Sequence, residues 1–245
     1  MGTKARLKFL NRAARFDADI EFVDVVNCAV QCGDLTPPTG AALLFTHLDP
    51  ERHRRLSRQQ PNDDNRQHVA AHLRKTVFSS YIKDLYEDFS AYLEEIIVVS
   101  RKGFKLGHMA TAHKVQLDAN DILDCGSWEG VLGLVTESVF DRLGAMSNTA
   151  RILQALGDLL GLELDGSVVT AAQPFVDLRH LLVHADGIAS PGFCKAFPDF
   201  GAFENEPIRL TVRTVQDARI AVTALVEHVD SKAIAAGLVT AEDMQ

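Results

Sequence analysis

Membrane anchors and covalent staples are largely missing from this chain. Its longest apolar runs, such as Ile96–Val99, fall far short of the roughly 20 residues that span a bilayer. The opening MGTKARLKFLNRAARF breaks any apolar stretch with charge, so no signal-peptide core is expected. Gly2 lacks the Ser or Thr at position 6 that myristoylation requires, because Arg6 stands there. Cysteines number four, at 28, 32, 125 and 194, without a C-x-x-C pair or zinc-ribbon spacing. They read as small buried hydrophobes in a reducing, cytoplasmic setting. There is no phosphate-cradling P-loop, no Gly-rich dinucleotide turn, no H-E-x-x-H, no Glu-x-x-His set of a di-iron bundle, no internal repeat and no low-complexity tract. Positive charge is also short, since the formal net charge is −8. That argues against a broad nucleic-acid binder, which displaces counterions with basic patches, but not against an enzyme that grips a few phosphates.

What remains is an ordinary folded composition, 47% apolar and 24% charged, with mostly helical periodicity. Residues 1–15 carry Lys4, Arg6, Lys8, Arg12 and Arg15. They read as a solvated arm, with contact to RNA or a partner as the alternative. Asp19 caps an expected helix to Gln31, and Pro37, Pro38 and Gly40 break the chain. A short apolar piece at 41–48, a short Arg-rich helix from Asp49 and a turn-rich linker at 59–65 follow. Residues 1–64 are thus expected to form an N-terminal helical appendage, and residues 65–240 the main domain.

The longest helical pattern runs from Asp64 to Val99. Val69, Leu73, Val77, Tyr81, Leu85, Phe89, Tyr92 and Ile96 step by three or four. Gly103 to Asp124 reads as irregular. Ser127 caps a helix ending at Gly144, and Ser147 or Asn148 caps another ending at Gly161. Phe193, Phe197, Phe200 and Phe203 are expected to pin a loop, because Pro198 and Gly201 oppose a helix. Ile208, Leu210 and Val212 alternate like one short strand, and Thr214 caps a last helix before a frayed tail. The fold class is all-α, a helical bundle with at most a minor β-hairpin near 193–212.

The segment with the most chemistry is QPFVDLRHLLVHADG, Gln173 to Gly187. It reads as a helix with Pro174 in its first turn and Gly187 as its stop. Phe175, Leu178 and Leu182 are expected to face a core. His180 and His184, four apart, share a face. Arg179 lies about 140° round the helix from His184 and flanks the same groove. A cation that never deprotonates beside a side chain that titrates near neutrality suits phosphoryl chemistry. The spacing alone is unspecific, since Arg66 with His72 and Arg101 with His108 come close to it. The apolar helix, the polar residue after the Arg and the following HADG supply the specificity.

Arg179, His180 and His184 in that setting resemble the signature of the HEPN superfamily, helical domains of which many are ribonucleases. There an Arg, usually followed by Asn, Asp or His, precedes a His by four to six residues. YEDFSAYLEEI resembles the first long helix of several HEPN families, and the likeness covers about residues 65–235. The resemblance implies a metal-independent endoribonuclease with no cofactor. Its products would carry 2′,3′-cyclic phosphates, and two protomers would set their Arg–His helices at a two-fold axis. It also implies service as a toxin or in antiviral defence, with a possible antitoxin or neutralising protein. In that reading His184 transfers protons, Arg179 clamps the phosphate, and His180 orients one of them or touches the phosphate. Glu87 is a candidate supporting partner, or else a solvated face charge. His at 180 instead of the more usual Asn leaves a noncatalytic module, binding a nucleotide or a partner protein, as the second reading. A third is a metal protein, with His68 and His72 facing His180 and His184. A purely structural role would have Arg179 paired with an acid such as Asp186.

Overall fold

A computed structural model describes residues 1–32, 49, 51–54, 63–100, 117–144 and 149–245. The fold is all-α. Among the described residues the helices are α1 (Lys4–Ala13), α2 (Asp17–Cys32), α3 (Asp63–Ser100), α4 (Ala119–Asp124), α5 (Trp128–Gly144), α6 (Thr149–Leu160), α7 (Gly166–His184), α8 (Pro191–Ala196) and α9 (Val212–Ala235). Single 3₁₀ turns occupy Ala14–Phe16, Pro198–Phe200 and Ala241–Asp243. No strand forms among these residues. The strand expected at 208–212 is replaced by an isolated bridge between Ile188 and Pro207 and by the start of α9. The apolar piece at 41–48, the Arg-rich stretch from Asp49, most of the 59–65 linker, positions 103–116 and the caps Ser147 and Asn148 lie wholly or largely outside the described residues.

Contacts divide the chain into two compact units. One unit comprises residues 1–14, 82–209 and 216–245, and the other residues 15–81 and 210–215. In the first, the second half of α3 buries Ile82, Leu85, Phe89, Tyr92, Leu93, Ile96 and Ile97. From α9, Ala218, Val222, Leu225, Val226 and Val229 are buried as well. The Tyr92 hydroxyl donates to the Val226 carbonyl at 3.2 Å, which brings the two helices together. α5 packs on α6, and α6 on α7.

α1 corrects the expectation of a solvated arm. Ala5, Phe9 and Ala13 recur every four residues and are buried, and the Phe9 ring lies 6.4 Å from that of Tyr92. Thr3 caps the helix by accepting from the Arg6 amide at 3.0 Å. Its basic residues are answered by distant acids: Lys8 by Glu95 at 3.0 Å, Arg12 by Asp88 at 3.2 Å, and Arg6 by Glu227. The tail is not frayed either. Gln245 donates its amide to the Gly2 carbonyl at 2.9 Å, and the Lys4 ammonium donates to the Glu242 carbonyl at 2.6 Å.

In the second unit, α2 turns Ile20, Val23, Asn27 and Val30 inward in a three–four–three step. The first half of α3 supplies Ala70, Phe78 and Tyr81, and the Phe16 and Tyr81 rings meet edge-on at 6.0 Å. Cys28 and Cys32 fall off the inward row and are exposed, contrary to the expected burial. Leu73 and both His68 and His72 are exposed as well. Asn27 is buried, with neither side-chain polar atom partnered among the described residues.

Two helix starts differ from expectation. α9 is capped by Thr211, whose hydroxyl accepts from the Thr214 amide at 3.1 Å, so Thr214 lies inside the helix. α7 begins at Gly166, eight residues before Pro174. The Asp165 carboxylate accepts from the Ser167 amide at 2.8 Å and caps it. Pro174 therefore sits mid-helix and removes the bond to the Thr170 carbonyl. Thr170 is an exposed position where solvent can take that carbonyl, while Ala172, Val176 and Leu178 bury both neighbouring turns. Burial thus overrides the proline.

Candidate functional site

α7 leads into a tightly tied exit. The amides of Ala185 and Gly187 both donate to the Leu181 carbonyl at 3.0 Å. Asp186 and Gly187 then turn through positive φ values of 50° and 76°, a conformation glycine adopts freely. Beyond the turn, Gly187 accepts from the Ile208 amide at 2.8 Å, and the Ala189 amide donates to Glu206 at 2.9 Å. The last two turns of α7 are held from behind by Leu178, Leu181 and Leu182, all buried. Phe175 is only half-buried, with its ring 5.8 Å from Phe200. Phe200 in turn meets Phe193 at 5.3 Å, and Phe193 meets Phe197 at 5.0 Å. Phe203 stands outside this cluster, 72% exposed. The expected loop is a short helix, α8, and a 3₁₀ turn, each opened by a proline at a position that needs no N–H.

On this frame Arg179 reaches across to α3. Its Nη2 donates to Glu87 Oε1 at 2.7 Å, and its guanidinium carbon lies 4.7 Å from the centre of the Tyr86 ring. A cation over an aromatic face is held there by the ring quadrupole. The Arg179 side chain is 27% exposed and that of Glu87 59%. The Arg179 Nε is buried, with no acceptor among the described residues. The partner of Arg179 is thus Glu87 and not Asp186. The structure brings Glu87 and Arg179 together.

His180 and His184 are both exposed, and their ring centres are 4.6 Å apart at an interplanar angle of 49°. Among the described residues neither imidazole has a hydrogen-bond or ion-pair partner. Their ring nitrogens are open to a ligand. Arg179, His180 and His184 thus lie on the last turns of one helix, with the cation anchored to α3 and the imidazoles bare.

Tyr86 is the site residue the sequence reading passed over. The available signal was its place in the Tyr-Glu pair beside the core row Leu85–Phe89–Tyr92, half-buried where a core tyrosine would be covered. For the metal reading, no group of three or more His, Cys, Asp or Glu side chains is placed to hold an ion among the described residues. No helix there is long and apolar enough to cross a membrane. No family model, curated protein or solved structure matches the chain.

Proposed function

We propose that the protein is a metal-independent endoribonuclease of HEPN type, working in the cytoplasm as a toxin or defence factor. The observation that carries this reading is one helix end that bears a guanidinium held on α3 and two imidazoles without a hydrogen-bond partner among the described residues. RNA brings its own nucleophile. The 2′-hydroxyl oxygen bonds to phosphorus while the 5′-oxygen leaves, giving a 2′,3′-cyclic phosphate. The reaction needs a base for the 2′-hydroxyl proton, an acid for the departing oxygen and a cation for the charge on phosphorus. His184 is assigned to proton transfer, Arg179 to the phosphate and His180 to orientation. A homodimer joined through the His180–His184 face would supply the second proton-transfer group. An antitoxin or other neutralising protein would be expected to cover the same face.

The test is incubation of purified protein with single-stranded RNA and DNA of one sequence, with and without EDTA. RNA cleavage that survives chelation and spares DNA is the expected result. Loss on chelation, or equal cleavage of DNA, rejects the mechanism. A monomer at micromolar concentration in light scattering rejects the dimer.

One observation favours the noncatalytic module instead: Arg179 is already paired with Glu87. If Arg179 only holds α7 to α3, Arg179→Ala will lower the melting temperature and no RNA cleavage will be found in the wild type.

A further inference from the structure

Tyr86 and Glu87 are neighbours on one turn of α3, and both touch Arg179, but in different ways. Tyr86 is half-buried, and the guanidinium carbon lies over its ring, 4.7 Å from the centre. Glu87 is mostly exposed and meets the edge, through Nη2. Building on the ribonuclease reading, we infer that this pair loads Arg179 for a phosphodiester. Tyr86 is a positioning residue that fixes the guanidinium plane, and Glu87 is a displaceable counter-ion whose place a phosphate oxygen takes.

The geometry separates the two jobs. A phosphate approaches a guanidinium in its plane, by the N–H fork. The ring face takes no place in that N–H fork, so the contact can persist when a phosphate binds. The carboxylate occupies the approach itself, so carboxylate and phosphate compete. An exposed ion pair is weak and screened, so Glu87 is released at little cost and can turn into water. Arg179 has five N–H donors. One of them is on Glu87, and the Nε–H is buried with no acceptor among the described residues. A side chain held only by ion pairs would turn to satisfy that donor. The Tyr86 stack gives a reason why it does not.

The experiment uses the full chain and two RNAs of one sequence, one cleavable and one 2′-O-methylated so that it lacks the nucleophile. Binding of the methylated RNA is read by fluorescence anisotropy, cleavage by kcat and KM, and Arg179 itself by its Nε–H resonance in NMR. Glu87→Gln is expected to tighten binding about two- to five-fold, the scale of a surface ion pair, with the gain falling on KM. Tyr86→Leu is expected to lower kcat by about 10- to 100-fold through a misplaced cation, and to speed exchange of the Arg179 Nε–H. Tyr86→Phe should restore both, because the ring face and not the hydroxyl makes the contact. The melting curves of all three should overlay the wild type.

Tyr86→Leu that cleaves normally and keeps a protected Nε–H overturns the positioning role. Glu87→Gln that weakens binding, or leaves it unchanged, overturns the displacement. If the wild type binds the methylated RNA and Glu87→Gln tightens it, but cleavable RNA stays intact, the ribonuclease reading falls and the loading of a phosphodiester stands. If the wild type binds neither RNA, both fall.

Discussion

Asp230 and Arg179 are both charged side chains drawn partly or wholly out of water within the same unit, and their surroundings are completed to different degrees. Asp230 is buried, and its carboxylate accepts from the Thr3 amide at 3.2 Å and from the Thr3 hydroxyl at 2.5 Å, with the Tyr92 hydroxyl 3.5 Å away. Around it the two ends of the chain pair, Thr3 bridging Met244. Among the described residues, Arg179 has an acceptor on an exposed carboxylate and a buried Nε–H with none. Folding alone accounts for the first cluster, since a buried charge is tolerated when its hydrogen bonds are made. The second is less complete, since folding leaves one of its buried donors without an acceptor among the described residues.

The comparison predicts opposite behaviour on mutation. Asp230→Ala strands the Thr3 amide and hydroxyl in the interior, and should cost about 2–6 kcal/mol in urea denaturation, because each buried donor left unsatisfied costs about 1–3 kcal/mol. Asp230→Asn keeps an acceptor and should cost less. A loss below about 1 kcal/mol for the alanine variant, no more than an ordinary hydrogen bond, would mean that the Asp230 cluster is not what holds the termini.

At the other cluster the effect should be on rate and not on stability. His184→Ala is expected to lower RNA cleavage by about 10²–10⁴-fold with an unchanged melting curve, because the ring is exposed and makes no hydrogen bond among the described residues. Arg179→Lys should not rescue Arg179→Ala fully, since an ammonium lacks the planar fork. His184→Ala that melts like a core variant, or stays active while folded, would make the two clusters alike after all. Leu178→Ala is the control on the buried side of the same helix, with an expected loss of about 2–5 kcal/mol.

The two clusters also differ in how far the sequence discloses them. Arg179, His180 and His184 stood out by their setting on an apolar helix and, with Glu87, by the resemblance that setting carries, while helical periodicity sets the all-α class and the extent of α3. The Asp230 cluster did not stand out. Its members lie 227 positions apart in the chain, and no local window shows that Lys8 or Arg12 will meet acids on α3. The basic N-terminus therefore read as an arm. Pro174 misled for a related reason: local chemistry places a proline at a helix start, whereas the burial of Ala172 and Val176 on either side carries α7 through it. Tyr86 is intermediate. Its helix was evident, but its contact depends on a side chain 93 residues on.

A smaller effect tests the closed cluster by pH. Burial, with the Asp230 carboxylate as the second cause, raises the Tyr92 hydroxyl well above the usual tyrosine range. The folded state therefore keeps its proton where the unfolded chain gives it up. The stability linked to that proton is fully present below about pH 10, the unfolded tyrosine value, and declines as pH rises beyond it. Tyr92→Phe loses the bond to Val226, about 1 kcal/mol at neutral pH, and should flatten the decline above pH 10. Denaturation midpoints at pH 7 and pH 10.5 decide this. Equal slopes in both proteins would remove Tyr92 from the alkaline limb.

The smallest effect belongs to the cap of α7, which sets the start of the helix that carries the site. Asp165 holds the Ser167 hydroxyl and amide, each at 2.8 Å, and its own amide donates to His228 Nε2 at 2.9 Å. The Ser167 hydroxyl first, and then the Ser167 amide, lower the carboxyl below the usual aspartate range. Because the folded value is the lower one, the cap's contribution is present above about pH 4, the unfolded aspartate value, and is lost as pH falls through the folded value. Asp165→Ala should therefore melt below the wild type at pH 7, and the gap should narrow toward pH 3. Asp165→Asn, which keeps an acceptor oxygen, should lie between them at pH 7 and follow the alanine variant's pH dependence. Hydrogen exchange should quicken at Ser167 in both acid-treated wild type and Asp165→Ala, while amides near Arg179, more than one turn beyond Pro174, stay protected. If exchange near Arg179 quickened too, α7 would open as one piece from its cap to its last turn. The site's order would then depend on Asp165 as much as on the leucines behind it.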